Sequence, residues 1–238
     1  MVVLKIIPCE AVIFDLDGVL VDSYTVIERY WSKWAARHSL DAAPIMEVIN
    51  GMRTVDAIRL LAPHLDAQAE AAQIAGGEAL DLNGVQAIEG ARELLEAIPA
   101  ERWAVATSGT RRTATTRIAH VDLPFPKVLV TADDVQRGKP DPQVYLLAAE
   151  RLDITPEKCV VIEDSSAGVE AALAAGMRVV ALAGKNKIEA LAGATLVAAR
   201  LADIHVRMNM PGEKYPEGQL ADWLWLEVGG QVSLSPST

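Results

Sequence analysis

Short runs of apolar residues alternate along this chain with stretches in which apolar residues return every three or four positions. A short unbroken apolar run predicts a strand that is covered on both faces, whereas the three- and four-residue spacing predicts a helix. Strands that alternate with helices of this length indicate βαβ units and a mostly parallel sheet. The predicted strands are 11–14, 103–107, 127–131, 159–163 and 178–182, and residues 91–98 form one of the predicted helices.

Residues 23–88 differ from the rest of the chain because their apolar spacing is helical throughout, as at Ile27, Trp31 and Trp34. This block follows the first predicted strand directly, so it must lie above the carboxyl edge of the sheet. We therefore predict an α/β fold with a Rossmann-like parallel sheet core and an inserted small helical cap domain. The core takes residues 1–22 and 89–238, and the cap takes residues 23–88.

The last part of the chain, residues 203–238, has weaker signals. Apolar residues predict a strand at 204–208, a turn region with Pro and Gly follows at 211–218, and Trp223 and Trp225 then alternate with other residues as in a strand. We predict a peripheral hairpin with a frayed tail, in which both Trp side chains serve packing rather than function.

The composition is that of a globular chain with a sizeable core, since 51% of its 238 residues are hydrophobic. The formal net charge of −10 disfavours nucleic acid and anionic membranes as partners, because both repel a negative protein. Pro8 and Glu10 interrupt the apolar opening, which also lacks a charged n-region, so we expect no export signal or membrane span and a cytoplasmic location. Cys9 and Cys159 lie in or beside apolar runs and are expected to be buried, reduced thiols.

Polar side chains follow several predicted strands at the point where each strand ends. Asp15 and Asp17 follow the first strand, and Thr107 and Ser108 come at the end of the next, where a helix is predicted to start. Ligands of open α/β sheets bind outside the carboxyl ends of strands, so these side chains are candidates for chemistry. Taken singly, each has an ordinary explanation as a turn residue or a helix cap. Further candidates are Lys139, which precedes the predicted start of a helix at Pro140, and the acidic pair Glu163 and Asp164.

Together, these motifs follow the order of the signature of one enzyme superfamily. The segments DLDGVLVDS, TSG, RGKPDP and VVIEDSSAG resemble the motifs of the haloacid dehalogenase-like (HAD) hydrolases. The resemblance covers essentially residues 11–184, and the insertion looks like the small helical cap of that superfamily. The segments NGMRTVDAIRLLAP and ERWAVATSGT are most similar to its sugar and polyol phosphatase branch, which includes the glycerol-3-phosphate and 2-deoxyglucose-6-phosphate phosphatases.

The resemblance implies a phosphatase that hydrolyses a small sugar or polyol phosphate through an aspartyl-phosphate intermediate. Asp15 would attack phosphorus, and Asp17 would protonate the leaving alkoxide and then deprotonate the attacking water. Lys139 would stabilise the transferring charge. Together with Thr107 and the Ser108 amide, it would also hold the phosphate oxygens.

A cation is expected beside these residues, because several carboxylates converge at one edge of the predicted sheet. Two like charges ~4 Å apart repel by ~4 kcal/mol at an effective dielectric of about 20. Carboxylates and a backbone carbonyl are hard oxygen ligands, which suit Mg²⁺. The implied ligands are Asp15, the Asp17 backbone carbonyl, Asp164 and Glu163. Either acid of the last pair could instead contact a ligand of the ion rather than the ion itself.

Arg53 lies in a predicted turn of the cap, residues 50–54, from which a side chain can reach the leaving group. Its fixed donors suit the hydroxyls of a sugar or polyol, and Asp56 is placed to orient it. The ordinary alternative is a solvent-exposed Arg that pairs only with Asp56. The match of GMRTVDAI to the sugar phosphatase branch favours contact with the substrate.

Other functions of the same fold stay open. The nearest is a phosphosugar mutase, but mutases of the β-phosphoglucomutase type carry a His at the position of Ile27. Dehalogenases do not need the acid at Asp17. A catalytically idle binding or regulatory module has no need of the complete set of candidate side chains. We therefore expect an enzyme in which water, rather than a sugar hydroxyl, accepts the phosphoryl group.

Overall fold

The computed structural model describes residues 4–184, 191–208 and 223–231 of the chain. None of the helices within these ranges is long and apolar enough to cross a membrane. The strands are β1 (Lys5–Cys9), β2 (Ala11–Phe14), β3 (Val21–Asp22), β4 (Gln86–Ala87), β5 (Trp103–Ala106), β6 (Val128–Val130), β7 (Cys159–Glu163), β8 (Arg178–Leu182), β9 (Leu196–Ala198), β10 (Ile204–Met208) and β11 (Leu224–Val228). The α-helices are α1 (Tyr24–Arg37), α2 (Ala42–Ile49), α3 (Thr54–Leu61), α4 (Ala67–Glu78), α5 (Ala91–Ala97), α6 (Arg111–His120), α7 (Gln143–Leu152) and α8 (Ser166–Ala174).

The centre of the molecule is a six-stranded parallel sheet with the strand order β6–β5–β2–β7–β8–β9. Strand β2 lies inside this sheet, between β5 and β7. The chain order reverses at β2, because the next strands along the chain lie on one side of it and the later ones on the other. Ligands of open α/β sheets bind at such a reversal, so the carboxyl end of β2 is the expected place for a site.

The residues of β2 alternate between the two faces of the sheet, and each face has its own hydrophobic core. Val12 and Phe14 pack into the core on one face, whereas Ala11 and Ile13 pack into the core on the other. All four residues are fully buried. A parallel strand that is covered on both sides needs apolar residues at every position, which is why this segment is an unbroken apolar run.

Helices α1–α4 form the inserted segment, which leaves and rejoins the sheet region through β3 and β4. These two short strands pair antiparallel, with Val21 opposite Ala87. The insertion has its own hydrophobic core, in which the rings of Trp31 and Trp34 meet edge to face with their centroids 5.3 Å apart. The Trp residues of α1 therefore serve mainly to pack the inserted helices together.

A second sheet is antiparallel and has the strand order β1–β11–β10. It contains both described strands of the predicted hairpin, and Trp225 is buried within it, in agreement with a packing role. The rest of that prediction falls on residues 209–222 and 232–238, which lie outside the described part of the chain. The sequence does not predict β1, because Pro8 interrupts its short apolar pattern.

Two helices begin later than the sequence indicates. Helix α6 begins at Arg111 and is capped by Thr110, and α7 begins at Gln143 rather than at Pro140. For α6 the reason is local, because the Thr110 side chain accepts the hydrogen bond of a backbone N–H in the first turn of that helix. Consequently, Lys139 and the TSG segment lie in loops that connect a strand to a helix.

Both cysteines, Cys9 and Cys159, are free and buried, as the apolar sequence around them predicts. Burial raises the pKa of the Cys159 thiol to about 12 and raises that of Cys9 further. Both side chains therefore stay protonated at neutral pH and serve as small apolar groups of the core.

Candidate active site

Asp15 follows β2 directly and is 6% exposed at the carboxyl edge of the central sheet. Its backbone N–H donates to the Ile162 carbonyl of β7 at 3.0 Å, which continues the strand pairing and fixes where the side chain begins. Gly18 then turns the chain with a φ of +88°. A Cβ at Gly18 would overlap the Asp164 carboxylate, so only glycine allows this turn so close to the acidic residues.

Lys139 brings a positive charge to Asp15 from the loop before α7. Its Nζ lies 2.6 Å from Asp15 Oδ1 and 2.6 Å from Glu163 Oε1, and the residue is 2% exposed. Burial lowers the pKa of Lys139, but the charges of Asp15 and Glu163 raise it well above its usual value. Burial also raises the pKa of Asp15 to about 7, and the ammonium of Lys139 opposes that rise. The contact therefore keeps Lys139 charged beside the carboxylate.

Glu163 is fully buried at the end of β7, and both of its carboxylate oxygens accept hydrogen bonds. Burial raises the pKa of Glu163, but Lys139 and the hydrogen bonds lower it overall, so the carboxylate is ionised. It holds Lys139 in place, and it fixes the backbone that leads into α8 through the N–H groups of Asp164 and Ser165. The five donors are Lys139 Nζ and the Tyr145 hydroxyl to Oε1, and the Asp164 N–H, the Ser165 N–H and the Ser165 hydroxyl to Oε2.

The structure brings three predicted metal ligands together. Asp15, Glu163 and Asp164 each offer one carboxylate oxygen, and these atoms lie within 4.8 Å of one another. Burial raises the pKa of Asp164, and the charges of Glu163 and Asp15 raise it further. A divalent cation would relieve this repulsion, and hard oxygen donors suit such an ion. The residues therefore fit a divalent cation, with Asp15 and Asp164 less engaged by protein donors than Glu163.

Thr107 and Ser108 lie directly after β5 and line the same cavity as Asp15. Thr107 is 1% exposed, and its Oγ1 accepts a hydrogen bond from the Gly109 N–H at 3.0 Å. The Ser108 hydroxyl donates to the Gly51 carbonyl of the inserted helices at 2.7 Å. The TSG loop is thus fixed on one side by its own backbone and on the other by the insertion.

Asp17 is held differently from Asp15 although it is only two positions further along the chain. Its Oδ1 accepts hydrogen bonds from the Ser23 hydroxyl at 2.5 Å and from Arg117 Nη1 at 2.6 Å. Within the described residues, its Oδ2 accepts no hydrogen bond. Because both donors meet Oδ1, the second oxygen is left available to a group in the cavity.

Arg117 and Glu78 are not among the residues that the sequence motifs indicate, yet both line this cavity. Arg117, on α6, is 1% exposed and reaches Asp17 with one nitrogen and Glu78 Oε2 with another, at 3.2 Å. Burial raises the pKa of Glu78 to about 7, although Arg117 opposes this. Neither residue stands in a recognisable motif, because a charged residue on a helix is usually solvated. Tyr24 is a further member, and its hydroxyl donates to Asp164 Oδ2.

Arg53 lies at a different contact between the insertion and the sheet domain. Its Nε donates to Asp56 Oδ2 at 2.6 Å, while Nη1 and Nη2 donate to the backbone carbonyls of Val135 and Gln136 at 2.9 and 2.7 Å. The residue is 7% exposed and borders a neighbouring cavity rather than the one with Asp15. Contact with a substrate therefore remains a prediction, and the solvent-exposed alternative does not describe Arg53 either.

Asp15 and Asp17 line a small cavity of about 90 Å³ between the sheet edge and the inserted helices, together with the TSG loop. Its floor is polar and comes from the sheet domain. The insertion contributes both polar residues, among them Asn50, Thr54 and Glu78, and a group of apolar residues. The apolar residues are Ile27, Trp31, Met46, Ile49 and Met52.

Comparison with known proteins identifies the family. The family model of the haloacid dehalogenase-like hydrolases matches residues 9–176 of the sequence. The chain belongs to this family. This confirms the α/β fold class and the assignment to a family of hydrolases that the sequence motifs indicate.

Relatives of this HAD-like hydrolase include phosphatases of small polyol phosphates. Hexitol phosphatase A of Escherichia coli is 38% identical, over 86% of this chain and 97% of the relative. Glycerol-1-phosphate phosphohydrolase 2 of Saccharomyces cerevisiae is 35% identical, over 73% of this chain and 74% of the relative. The predicted similarity to the sugar and polyol phosphatase branch is therefore confirmed.

Solved structures share the fold of this HAD-like hydrolase. A hydrolase from Pseudomonas syringae has a TM-score of 0.74 and 30% identity, and the match covers 81% of this chain and 94% of that one. β-Phosphoglucomutase from Clostridium difficile has a TM-score of 0.71 at 22% identity, with 82% of this chain and 92% of that one covered. The second match concerns the fold alone.

Proposed function

We propose that this HAD-like hydrolase is a Mg²⁺-dependent phosphatase that hydrolyses a small sugar or polyol phosphate through an aspartyl-phosphate intermediate. The observation that carries the proposal is the arrangement around one cavity of two carboxylates with different partners. Asp15 faces Lys139 and the acidic cluster, whereas Asp17 faces Ser23 and Arg117. Two acids in different surroundings suit two different roles, one as nucleophile and one as acid and base.

In the first step, the Asp15 carboxylate attacks phosphorus in line with the ester oxygen of the substrate. The bond from phosphorus to that oxygen breaks, and Asp17 gives its proton to the leaving alkoxide. In the second step, Asp17 takes a proton from a water molecule that attacks the phosphorus of the aspartyl-phosphate. Inorganic phosphate leaves and the Asp15 carboxylate is restored. Oδ2 of Asp17, which accepts no hydrogen bond from the described residues, is the oxygen we assign to these proton transfers.

Phosphate oxygens are held in this proposal by Thr107, by the Ser108 amide and by Lys139. All three residues lie at the carboxyl edge of the sheet near Asp15, in loops between a strand and a helix. Lys139 offers a charge that compensates the transferring phosphoryl group. Its contact with Glu163 supports the required orientation, because the ammonium is already bonded on one side.

The metal ligands in this proposal are Asp15, the Asp17 backbone carbonyl and Asp164. When bound, the ion neutralises charge on the phosphoryl oxygens as a Lewis acid. Glu163 belongs to the same cluster, but its five hydrogen bonds favour a role in orienting Lys139 over direct binding of the ion.

Free thiols at both cysteines are consistent with the cytoplasmic location that we also propose.

A screen of sugar and polyol phosphates in the presence of Mg²⁺ tests this proposal. We expect release of inorganic phosphate, with hexitol and glycerol phosphates among the substrates of highest kcat/KM. Asp15→Asn should abolish turnover and leave the fold intact, because the amide is nearly isosteric but is not a nucleophile. Covalent phosphate on the Asp15→Asn variant would contradict the assignment.

A mutase is the alternative, and the same assay separates the two. The resemblance places Ile27 where mutases of this superfamily have a His, and Ile27 lines the cavity as one of its apolar residues. We therefore expect no conversion of a hexose 1-phosphate into its 6-phosphate. Such a conversion without net release of phosphate would favour the mutase.

A further inference from the structure

Glu78 and Arg117 connect the inserted helices to the candidate acid Asp17. Glu78 ends α4, is 7% exposed and borders the cavity. Its Oε2 accepts a hydrogen bond from Arg117 Nη2 at 3.2 Å, and Arg117 Nη1 lies 2.6 Å from Asp17 Oδ1. One guanidinium therefore fixes the distance between a carboxylate of the insertion and the proposed acid of the sheet domain.

This pair has hydrogen-bonding capacity that the described residues do not use. Arg117 Nε is buried and has no partner among them. Glu78 Oε1 accepts no hydrogen bond from any described residue. Because Glu78 lines the cavity, a ligand there can supply the hydrogen bond that Glu78 Oε1 lacks.

The position of Glu78 indicates which part of a substrate it meets. The phosphate is assigned to the side of the cavity with Asp15 and Lys139, and Asp17 lies next to the ester oxygen. Glu78 comes from the inserted helices and is bound by a different nitrogen of the Arg117 guanidinium than the one that binds Asp17. It therefore faces the leaving group rather than the phosphate.

We propose that Glu78, held by Arg117, determines specificity for the leaving group: it accepts hydrogen bonds from the hydroxyls of an uncharged polyol or sugar and excludes leaving groups that carry a second anionic group. This inference rests on the proposed phosphatase function and names the substrate class more narrowly. A carboxylate accepts hydrogen bonds from hydroxyls but repels another carboxylate or phosphate. Exclusion of the wrong ligand by a like charge is a common source of specificity.

Two substrates that differ in one group test the proposal. Sorbitol 6-phosphate and 6-phosphogluconate have the same carbon chain, but the first ends in a hydroxymethyl group and the second in a carboxylate. Assays at pH 8 keep Glu78 ionised, because this pH lies above its pKa of about 7. We expect the wild-type protein to prefer sorbitol 6-phosphate in kcat/KM by ~10-fold or more.

Substitutions of Glu78 separate its charge from its shape. Glu78→Gln should reduce the preference by ~10-fold, mainly through a lower KM for 6-phosphogluconate. Glu78→Asp keeps the charge, so it should keep the exclusion of 6-phosphogluconate and raise the KM for sorbitol 6-phosphate. Glu78→Ala is a second neutral variant and should lose the preference as the Gln variant does. The matched control is Glu47→Gln, an exposed residue of α2, which should leave the ratio unchanged.

An aryl phosphate without hydroxyls is the third substrate. The thermal unfolding midpoint of each variant is measured as well. The kcat/KM for the aryl phosphate reports any effect of the Glu78 substitutions on Asp17 through Arg117, because this substrate offers Glu78 no hydroxyl. An equal loss on all three substrates, or an unchanged ratio in the neutral variants, would overturn the inference while the phosphatase function stands. A wild-type protein that releases no phosphate even from the aryl phosphate would overturn the proposed function itself.

Discussion

Asp15 and Asp17 show how much the role of a side chain depends on its partners. The two residues have the same chemistry and lie two positions apart, yet an ammonium contacts one and a guanidinium and a hydroxyl contact the other. The turn at Gly18 makes this possible, because it takes the chain away from the sheet directly after the second acid. The pattern DxD therefore specifies two sites of different character.

The proposed proton transfer by Asp17 predicts a large kinetic effect. Asp17→Asn should slow hydrolysis of a substrate with a poor leaving group by roughly 10²–10⁴-fold, the usual contribution of a general acid or base. The loss should be smaller for an aryl phosphate, whose leaving group needs less protonation. The measurement is kcat on both substrates at saturating Mg²⁺.

A control for this variant is Asp122→Asn, since the Asp122 side chain is 96% exposed and does not line the cavity. It should leave both rates unchanged. An unchanged kcat on the poor leaving group in the Asp17→Asn variant would reject the role of general acid.

At the scale of residues, sequence motifs identify the site residues that lie within a short segment. They miss site residues that only the fold brings together. The order of the motifs indicates Asp15, Asp17, Lys139 and the acidic pair, and the structure gathers these residues at one edge. Arg117 comes from the middle of a helix and meets its partners only after folding. Nothing in its local sequence distinguishes it from a solvated Arg.

The contact that Arg53 makes at the start of α3 is a contact between elements. It clamps the inserted helices to the loop before Lys139 through two backbone carbonyls, and these bonds are shielded from water. Arg53→Ala should therefore lower kcat/KM by ~10-fold on a polyol phosphate and on an aryl phosphate alike, since closure of the cap serves both. Steady-state kinetics on the two substrates provide the measurement.

A matched control is Arg59→Ala, because Arg59 also pairs with Asp56 but its side chain is 55% exposed. We expect little change in that variant. A loss confined to the polyol phosphate in Arg53→Ala would instead support direct contact between Arg53 and the substrate.

Asp134 joins three elements at the end of β6. Its carboxylate accepts hydrogen bonds from the N–H and hydroxyl of Thr131, and it pairs with Arg111 of α6 and Arg151 of α7. Burial raises the pKa of Asp134, but the bonds from Thr131 and Arg151 and the charge of Arg111 lower it to about 2. The ionised form is therefore favoured in the folded state.

This shift predicts how stability depends on pH. The unfolded carboxyl has a pKa of about 3.9, so the contribution of Asp134 is complete above that value and is lost as the pH falls toward 2. Asp134→Asn should lower the free energy of unfolding by ~1 kcal/mol at pH 7 and by progressively less below pH 4. Urea denaturation at several pH values measures this difference. A difference that grows on acidification would contradict the sign, and Glu47→Gln should show none.

At the scale of elements, buried strands are the most predictable part of the chain. The bounds of β2, β7 and β8 agree with the unbroken apolar runs, because both faces of a central parallel strand are covered. Helix starts are less predictable, since a side-chain cap such as that of Thr110 decides between neighbouring positions. Strand β1 is missed because Pro8 interrupts its short apolar pattern, and its partner, β11, lies far away in the sequence.

At the scale of the whole molecule, polar contacts between the sheet domain and the insertion lie around the cavity. They include the Ser108 hydroxyl on the Gly51 carbonyl and the Arg117–Glu78 pair. Polar groups of this kind can exchange their partners for water at small net cost, unlike a continuous apolar interface. The contacts thus suit an insertion that opens to admit a substrate and closes over it.

Binding of Mg²⁺ should stabilise the whole molecule, because the acidic cluster repels itself in the folded state. At an Mg²⁺ concentration 100-fold above Kd, the gain is about 2.7 kcal/mol, or a rise in Tm of roughly 5–10 °C for a chain of this size. Asp164→Asn should lose most of this rise. EDTA should abolish activity, and Ca²⁺ should not replace Mg²⁺ because its larger, looser shell suits an in-line transfer less well.

Thermal unfolding with and without each ion, together with phosphate release, measures these effects. Equal rates with Ca²⁺ and Mg²⁺, or full activity in EDTA, would contradict the proposed metal site. An unchanged Tm in the wild-type protein on addition of Mg²⁺ would contradict it independently of activity.

The pairing of β1 with β11 also bears on how the molecule is made. A ribosome produces β1 first and β11 last among the described strands, and within the described residues β1 pairs with β11 alone. The first strand must therefore wait as an open edge, able to pair with other chains, while the parallel sheet forms beside it. Synthesis of the last strand pairs one edge of β1. A chain interrupted before β11 therefore leaves both edges of β1 without a strand partner, whereas within the described residues of the finished molecule one of them is paired.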